Sequence, residues 1–384
     1  MTGVSPGATG TRGALAAPPA RVLVVEDSAV VRTLLCRLIE QDPRLRLAGA
    51  VESAEEALAV LPRLKPDVIS MDVHLPGMDG LVATREIMAR QPTPIVIVSD
   101  AWSGGTAAKA GLTMEALRSG ALTVIEKPRL SAIVAGDLAR GFTTQLSIMS
   151  QVPVVRRRLA PPPSAVMGPT CALGGRPVRL LVMAASTGGP PAFERVLRAL
   201  PADFPLPIVL VQHMGAPFLD GFASWLDGLV GLDVRLARPG DMPRPGLVLV
   251  APGDGELRLG AGGVVRIDPV APGARPGPCP SADLLFHSAV ERFGASVMGV
   301  LLTGMGRDGA SGLAAIHRAG GPTIAEDART AVVFGMPRAA IEMNAASLVL
   351  PLDLIAGSLC ATAGVPVPLA GAAVRSGLAE GSPL

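Results

Sequence analysis

Tyrosine is absent from this chain, and only 3% of its residues are aromatic. Stacking platforms for single-stranded nucleic acid depend on exposed rings and are not expected here. Charge of one sign is equally scarce. The 34 basic and 32 acidic residues leave a formal net charge of +2, too little for a broad footprint on DNA or acidic lipid. The four cysteines, Cys36, Cys171, Cys279 and Cys360, are scattered and form no C-x-x-C pair. That pattern excludes a zinc site and a dense disulfide framework, and it fits a reducing cytosol. Long apolar runs are missing with one exception, the uncharged residues 354–374. This stretch is rich in Ala and Gly and interrupted by Pro366 and Pro368, so it reads as a helix followed by a loose tail. The N-terminus has a single arginine, Arg12, and a short apolar stretch, too weak for a signal peptide. The expectation is a cytoplasmic protein, not membrane-embedded and without nucleic acid.

What is present is a chain of 384 residues with 49% apolar content, enough for two domains with separate cores. Residues 1–20 are rich in Gly, Ala, Pro and Thr and read as disordered. Over residues 21–150, apolar strands at 22–25, 47–51, 68–71, 95–98 and 122–125 alternate with helical patterns. Val30, Leu34, Leu38 and Ile39 recur at helix spacing behind Ser28, a candidate N-cap. Such alternation predicts a five-stranded parallel sheet covered on both faces. A Pro-, Arg- and Gly-rich linker follows at 151–177. A second α/β block spans 178–364, with strands expected at 179–184, 208–212, 234–236, 247–251, 297–302 and 323–325. A hairpin is expected at 256–259 and 264–267, an irregular loop at 271–280 and a flexible tail at 365–384. The fold class is α/β twice over: a flavodoxin-like domain, then a doubly wound, mostly parallel one.

Ligands of such sheets bind at the carboxyl ends of the strands. In the first block that edge collects Glu26 and Asp27 after the first strand, Asp72 after the third, Ser99 after the fourth and Lys127 after the fifth. Each alone has a plain reading as a cap, a turn residue or a surface cation. Together they describe a phosphoacceptor, Asp72. Three clustered carboxylates share a hard cation such as Mg²⁺, and Ser99 and Lys127 grip the phosphoryl group.

In the second block, Ser186 lies between a strand and a helix whose start is marked by Pro190 and Pro191. A serine there is often only a cap. However, the turn also exposes a hydroxyl to backbone N–H groups and a positive helix end. Only four histidines exist, and His213 is the one that ends a strand of this block. Asp308 follows another strand end, in Gly304-Met305-Gly306-Arg307-Asp308-Gly309. Nucleophile, base and orienting carboxylate are then Ser186, His213 and Asp308, with backbone support near Thr187 and Met305. The last segment also fits G-x-G-x-x-G, with Glu326 22 positions after Gly304. A dinucleotide site would place Asp308 against a pyrophosphate and leave Ser186 and His213 without a role.

The segments Ala-Ser-Thr-Gly-Gly-Pro, Val-Gln-His-Met, Pro-Ser-Ala-Asp-Leu-Leu-Phe, Leu-Leu-Thr-Gly-Met-Gly-Arg-Asp-Gly-Ala and Phe-Gly-Met-Pro-Arg-Ala-Ala occur in order over residues 178–362. They resemble the chemotaxis protein-glutamate methylesterases, the CheB family, and residues 21–145 resemble a response-regulator receiver. The resemblance implies the triad above and a histidine kinase as phosphodonor. It also implies methyl-accepting chemoreceptors as substrate, whose glutamate γ-methyl esters are hydrolysed to methanol and whose glutamines some members deamidate. The esterase needs no cofactor, and the protein is expected to be a monomer. Departures are Val124 where many receivers carry an aromatic, Glu256 where members often have His, and Ala325-Glu326-Asp327-Ala328 for a usual Ala-Gln-Asp-Glu. The readings from other classes are a receiver with a nucleotide-binding output and a scaffold with an unused triad.

Overall fold

The computed structural model describes residues 18–99, 106–127, 137–152, 154, 177–270 and 278–366. Of the residues 1–20 expected to be disordered, 1–17 lie outside the described residues, as do most of the linker and of the loop at 271–280 and the tail beyond residue 366, whereas Ala20 already opens the first strand.

The first block runs β1 (Ala20–Val25), α1 (Ala29–Gln41), β2 (Leu45–Val51), α2 (Ala54–Leu64), β3 (Val68–Met71), α3 (Gly80–Arg90), β4 (Ile95–Ser99), α4 (Thr106–Ser119), β5 (Thr123–Glu126) and α5 (Asp137–Met149). The strands pair in parallel in the order β2-β1-β3-β4-β5. Both faces are covered, so β3 and β4 are buried along their whole length. Ser28 caps α1, its hydroxyl accepting the Val31 N–H at 3.5 Å. The buried stripe of α1 is Leu35, Leu38 and Ile39, whereas Val30 is 64% exposed. Helix spacing places Val30 on that stripe, but it belongs to the first turn, above the rim of the sheet.

The second block contains β6 (Leu180–Ala185), α6 (Gly189–Arg198), β7 (Ile208–Gln212), α7 (Ala216–Asp227), β8 (Asp233–Leu236) and β9 (Leu247–Val250). The hairpin β10 (Gly255–Leu259) and β11 (Val265–Pro269) follows. Then come α8 (Ala282–Phe293), β12 (Val297–Leu301), α9 (Ala310–Arg318), β13 (Thr323–Glu326), α10 (Met336–Glu342), β14 (Leu348–Leu350) and α11 (Leu352–Ala363). Seven strands form one parallel sheet, ordered β14-β13-β12-β6-β7-β9-β8, and the hairpin stands apart as an antiparallel pair. The central strands β6, β7 and β12 are buried throughout, and an apolar cluster lies on each face. The edge strand β14 has three residues, too few for an alternation or a run to announce it. Among the described residues, no helix is long and apolar enough to cross a membrane.

The two blocks share apolar surface. Met114 and Leu117 of α4 belong to the core cluster that contains Phe193 of α6 and Phe222 of α7. The Arg118 guanidinium lies 6.0 Å from the Trp225 ring centroid and 3.9 Å from Glu194. On the other side of the contact, Val332 and Val333 pack against the receiver cluster of Val22, Val24, Phe142 and Leu146. The helices that α4 covers are the ones leading away from Ser186 and His213.

Candidate functional site

In the first sheet the crossovers leaving β1 and β3 run in opposite directions, which opens a crevice at their carboxyl ends. Glu26, Asp27 and Asp72 stand there with carboxylate oxygens within 4.8 Å of one another. Lys127 reaches in from the end of β5, donating to Glu26 Oε1 at 3.0 Å and to Asp72 Oδ2 at 2.9 Å. All three of these side chains are buried, while Asp27 is exposed. Ser99 ends β4 and is buried, and its carbonyl accepts the Lys127 N–H at 3.2 Å. The structure thus brings Glu26, Asp27, Asp72 and Lys127 together, with Ser99 tied to Lys127 through its backbone.

The charge balance of this crevice is incomplete. Burial pushes the Asp72 and Glu26 carboxyls above their ordinary range, and Lys127 only partly offsets it. Burial pulls Lys127 the other way, yet its two carboxylate partners hold it up. Asp72 Oδ1 is buried with no hydrogen-bond partner. Three carboxylates and an unpartnered oxygen form a donor set that fits a hard divalent cation such as Mg²⁺.

The second crevice opens between β6 and β12, again where the strand order reverses. Ser186 follows β6, and its N–H is held by the Thr303 carbonyl at 2.9 Å. The turn then needs a left-handed residue with no side chain. Gly188 has φ near +80°, and a Cβ there would come within 2.6 Å of the Val332 side chain. The helix α6 starts at once with Gly189 and Pro190, which aims its N-terminal dipole at the serine. Gly304 lies equally close. A Cβ at that position would come within 2.8 Å of the Ser186 Cβ.

His213 follows β7, with its backbone N–H bonded to the Ala185 carbonyl at 3.0 Å. Its Nε2 lies 2.8 Å from Asp308 Oδ2. Burial pushes the Asp308 carboxyl up, but its hydrogen bonds outweigh burial and hold it below the ordinary carboxylate value. The donors are His213, the Ala282 N–H at 2.6 Å, the Ser281 hydroxyl at 2.8 Å and the Asp283 N–H at 3.2 Å. An ionised carboxylate can only accept, so the imidazole proton belongs on Nε2 and the lone pair on Nδ1. Among the described residues, the N–H groups of Thr187 and Met305 form no hydrogen bond. The loop that also matched a dinucleotide pattern is spent on Asp308, which is packed against the start of α8.

Sequence reasoning passed over the groups that hold this arrangement. Ser281 caps α8 and turns three donors toward Asp308, and the buried Glu256 accepts the Ser281 N–H at 2.7 Å. Ser281 lies in the segment Pro-Ser-Ala-Asp-Leu-Leu-Phe that carries the family resemblance, but its bond to Asp308 leaves no local pattern. Thr303 gives its hydroxyl to the Thr187 carbonyl at 2.9 Å and accepts the Val333 N–H at 2.9 Å. Gln212 donates to the Ser186 carbonyl at 2.9 Å.

Comparison with known proteins gives this geometry a family. A model of the response regulator receiver domain matches residues 22–135, and one of the CheB methylesterase matches residues 181–359. A protein-glutamate methylesterase/protein-glutamine glutaminase of Syntrophus aciditrophicus is 44% identical over 353 residues, covering 91% of this chain and 99% of that protein. One from Paramagnetospirillum magneticum is 45% identical over 348 residues, or 88% of this chain and 96% of its own length. Among solved structures, the CheB methylesterase catalytic domain of Thermotoga maritima is 39% identical. It covers 47% of this chain and 97% of that one, with a TM-score of 0.45. The chain belongs to the protein-glutamate methylesterase/protein-glutamine glutaminase family, in which a receiver domain precedes a CheB methylesterase domain.

Proposed function

We propose that this chain hydrolyses glutamate γ-methyl esters on methyl-accepting chemoreceptors, releasing methanol, and deamidates receptor glutamines under control of phosphorylation at Asp72. The observation that carries the reading is the 2.8 Å His213–Asp308 pair beside a serine pinned at the neighbouring strand end. In this reading His213 Nδ1 takes the Ser186 hydroxyl proton as Oγ bonds the ester carbonyl carbon. The Thr187 and Met305 N–H groups stabilise the oxyanion. His213 returns the proton to the leaving methoxide, and a water then releases the glutamate from the serine by the same steps in reverse order. With glutamine the leaving group is ammonia.

In the receiver, Asp72 accepts a phosphoryl group from a histidine kinase, and Ser99 and Lys127 hold its oxygens. Glu26, Asp27 and Asp72 would hold Mg²⁺, which supplies positive charge to the transferring phosphoryl. The receiver's grip on α6 and α7 supports a reading in which phosphorylation loosens α4 and opens the esterase crevice. The reading also places the protein in the cytoplasm, as a monomer. Methanol release from methylated receptor membranes tests it, with and without a small phosphodonor, in wild type and in S186A. Release by wild type that rises with phosphodonor and is lost in S186A is expected. Release at the wild-type rate from S186A overturns the assignment.

A further inference from the structure

Glu326 ends β13, on the far side of β12 from the serine, and has no part in the steps above. It is fully buried, yet its carboxyl has one hydrogen bond. Oε2 accepts the Thr303 N–H at 2.8 Å, while Oε1 is buried with no partner. Buried polar atoms are rarely left so, and an anion at this point is the costly form. Thr303 is the residue on which the nucleophile turn rests: its carbonyl holds the Ser186 N–H at 2.9 Å and its hydroxyl holds the Thr187 carbonyl at 2.9 Å. The Glu326 carboxyl is therefore one residue removed from both the serine and a candidate oxyanion donor.

We infer that Glu326 is a positioning residue of the hydrolase crevice, acting through Thr303 in its neutral form, and that its ionisation throttles turnover. Two strand spacings of about 4.8 Å separate it from the serine strand, so a charge there lies roughly 10 Å from the developing oxyanion. Through a low-dielectric interior a like charge at that range opposes the transition state by about tenfold in rate. The ground state carries no such charge on the ester, so KM is spared. A glutamine could make the same contact with Thr303 and never ionise.

The surroundings agree. Burial pushes the Glu326 carboxyl up to about 7, with the Thr303 hydrogen bond opposing and Asp327 and Asp353 adding to it. Asp327 is itself held by Arg329 at 2.9 Å, and Asp353 of α11 is held by Arg195. On α10, Arg338 pairs with Glu342 at 2.7 Å, and His317 of α9 bonds Ser347 at 3.2 Å at the opposite end of β13. None of these cations hydrogen-bonds to Glu326.

The inference rests on the serine-hydrolase reading, and its test separates the two. The full-length protein with phosphodonor is assayed for methanol release across pH 7, comparing wild type with E326Q, while S186A reports on the triad alone. Wild-type kcat is expected to fall about tenfold above pH 7 with KM unchanged. The ratio of kcat above pH 7 to kcat below it is expected to rise about tenfold in E326Q. An isotope-edited infrared titration compares the wild type with E326Q, which separates Glu326 from the buried Glu26. It should show a protonated glutamic acid that disappears near the same pH. An alkaline decline retained in full by E326Q, or no protonated buried glutamic acid below pH 6, overturns the inference.

Discussion

The two crevices occupy the same topological place, and their carboxylates are provisioned in opposite ways. Asp308 accepts four hydrogen bonds and is held below the ordinary carboxylate value. Asp72 shares one lysine with Glu26, keeps an unpartnered oxygen and is pushed upward by burial. The first is finished within the chain and stays charged. The second is left short of positive charge, so its state depends on what arrives. Strand order fixes where a site can be, and the count of donors around each carboxylate decides what it does.

The comparison breaks most directly through activity. H213A is expected to lower turnover by about 10⁶, and D308N by about 10⁴ because it favours the wrong tautomer, while D72A leaves the unstimulated rate in place. Methanol release is the readout, and an H213A rate near wild type would remove the distinction. The next effect concerns the receiver. Label from a small phosphodonor should enter the wild type only with a divalent cation and should not enter D72A. Incorporation that survives chelation would show that the crevice was not short of charge.

Stability sharpens the contrast with smaller numbers. D308N leaves several buried donors facing an amide, and it should cost about 1–3 kcal/mol in denaturant melts. The Asp72 carboxyl has its ordinary value of 3.8 raised on folding, so the native state holds its proton longer than the unfolded chain. Stability is then lost as pH rises above 3.8, and at neutral pH the ionised group is a burden. D72N removes it and should melt higher than wild type in a chelator, although Lys127 keeps Glu26 as a partner. A drop in Tm for D72N would place the two carboxylates in one class. The smallest effect concerns control. Fragment 178–384 should hydrolyse receptor esters several-fold faster than the unphosphorylated chain, and L117A should raise the basal rate in the same direction. Equal rates for fragment and intact protein would assign activation to recruitment.

Much of this was legible from residues alone because parallel strands announce themselves. Buried on both faces, β3, β6 and β12 read as apolar runs, and the polar residue after each run falls at the binding edge. Glu26, Asp72, Lys127, Ser186 and His213 were singled out that way, and Asp308 from the glycine-rich loop that follows such a run. The supporting groups were not. Ser281 and Asp308 are 27 residues apart, and Thr303 and Val333 are 30 apart. Neither pair leaves a local pattern. Nor does periodicity show which helix face meets another domain: Met114 and Leu117 of α4 lie in the cluster that contains Phe222 of α7.

That shared cluster gives the two domains a common melting unit. Met114 and Leu117 count toward the esterase's cohesion while belonging by sequence to the receiver. Any perturbation that loosens the esterase's α7 is therefore felt at the receiver's α4, and heat or denaturant should dismantle the docked pair in one cooperative step. Once α4 is released, each domain must stand on its own reserve of stability. In the proposed mechanism the phosphorylated state would then be the more fragile one, its lifetime bounded by unfolding as well as by loss of phosphate.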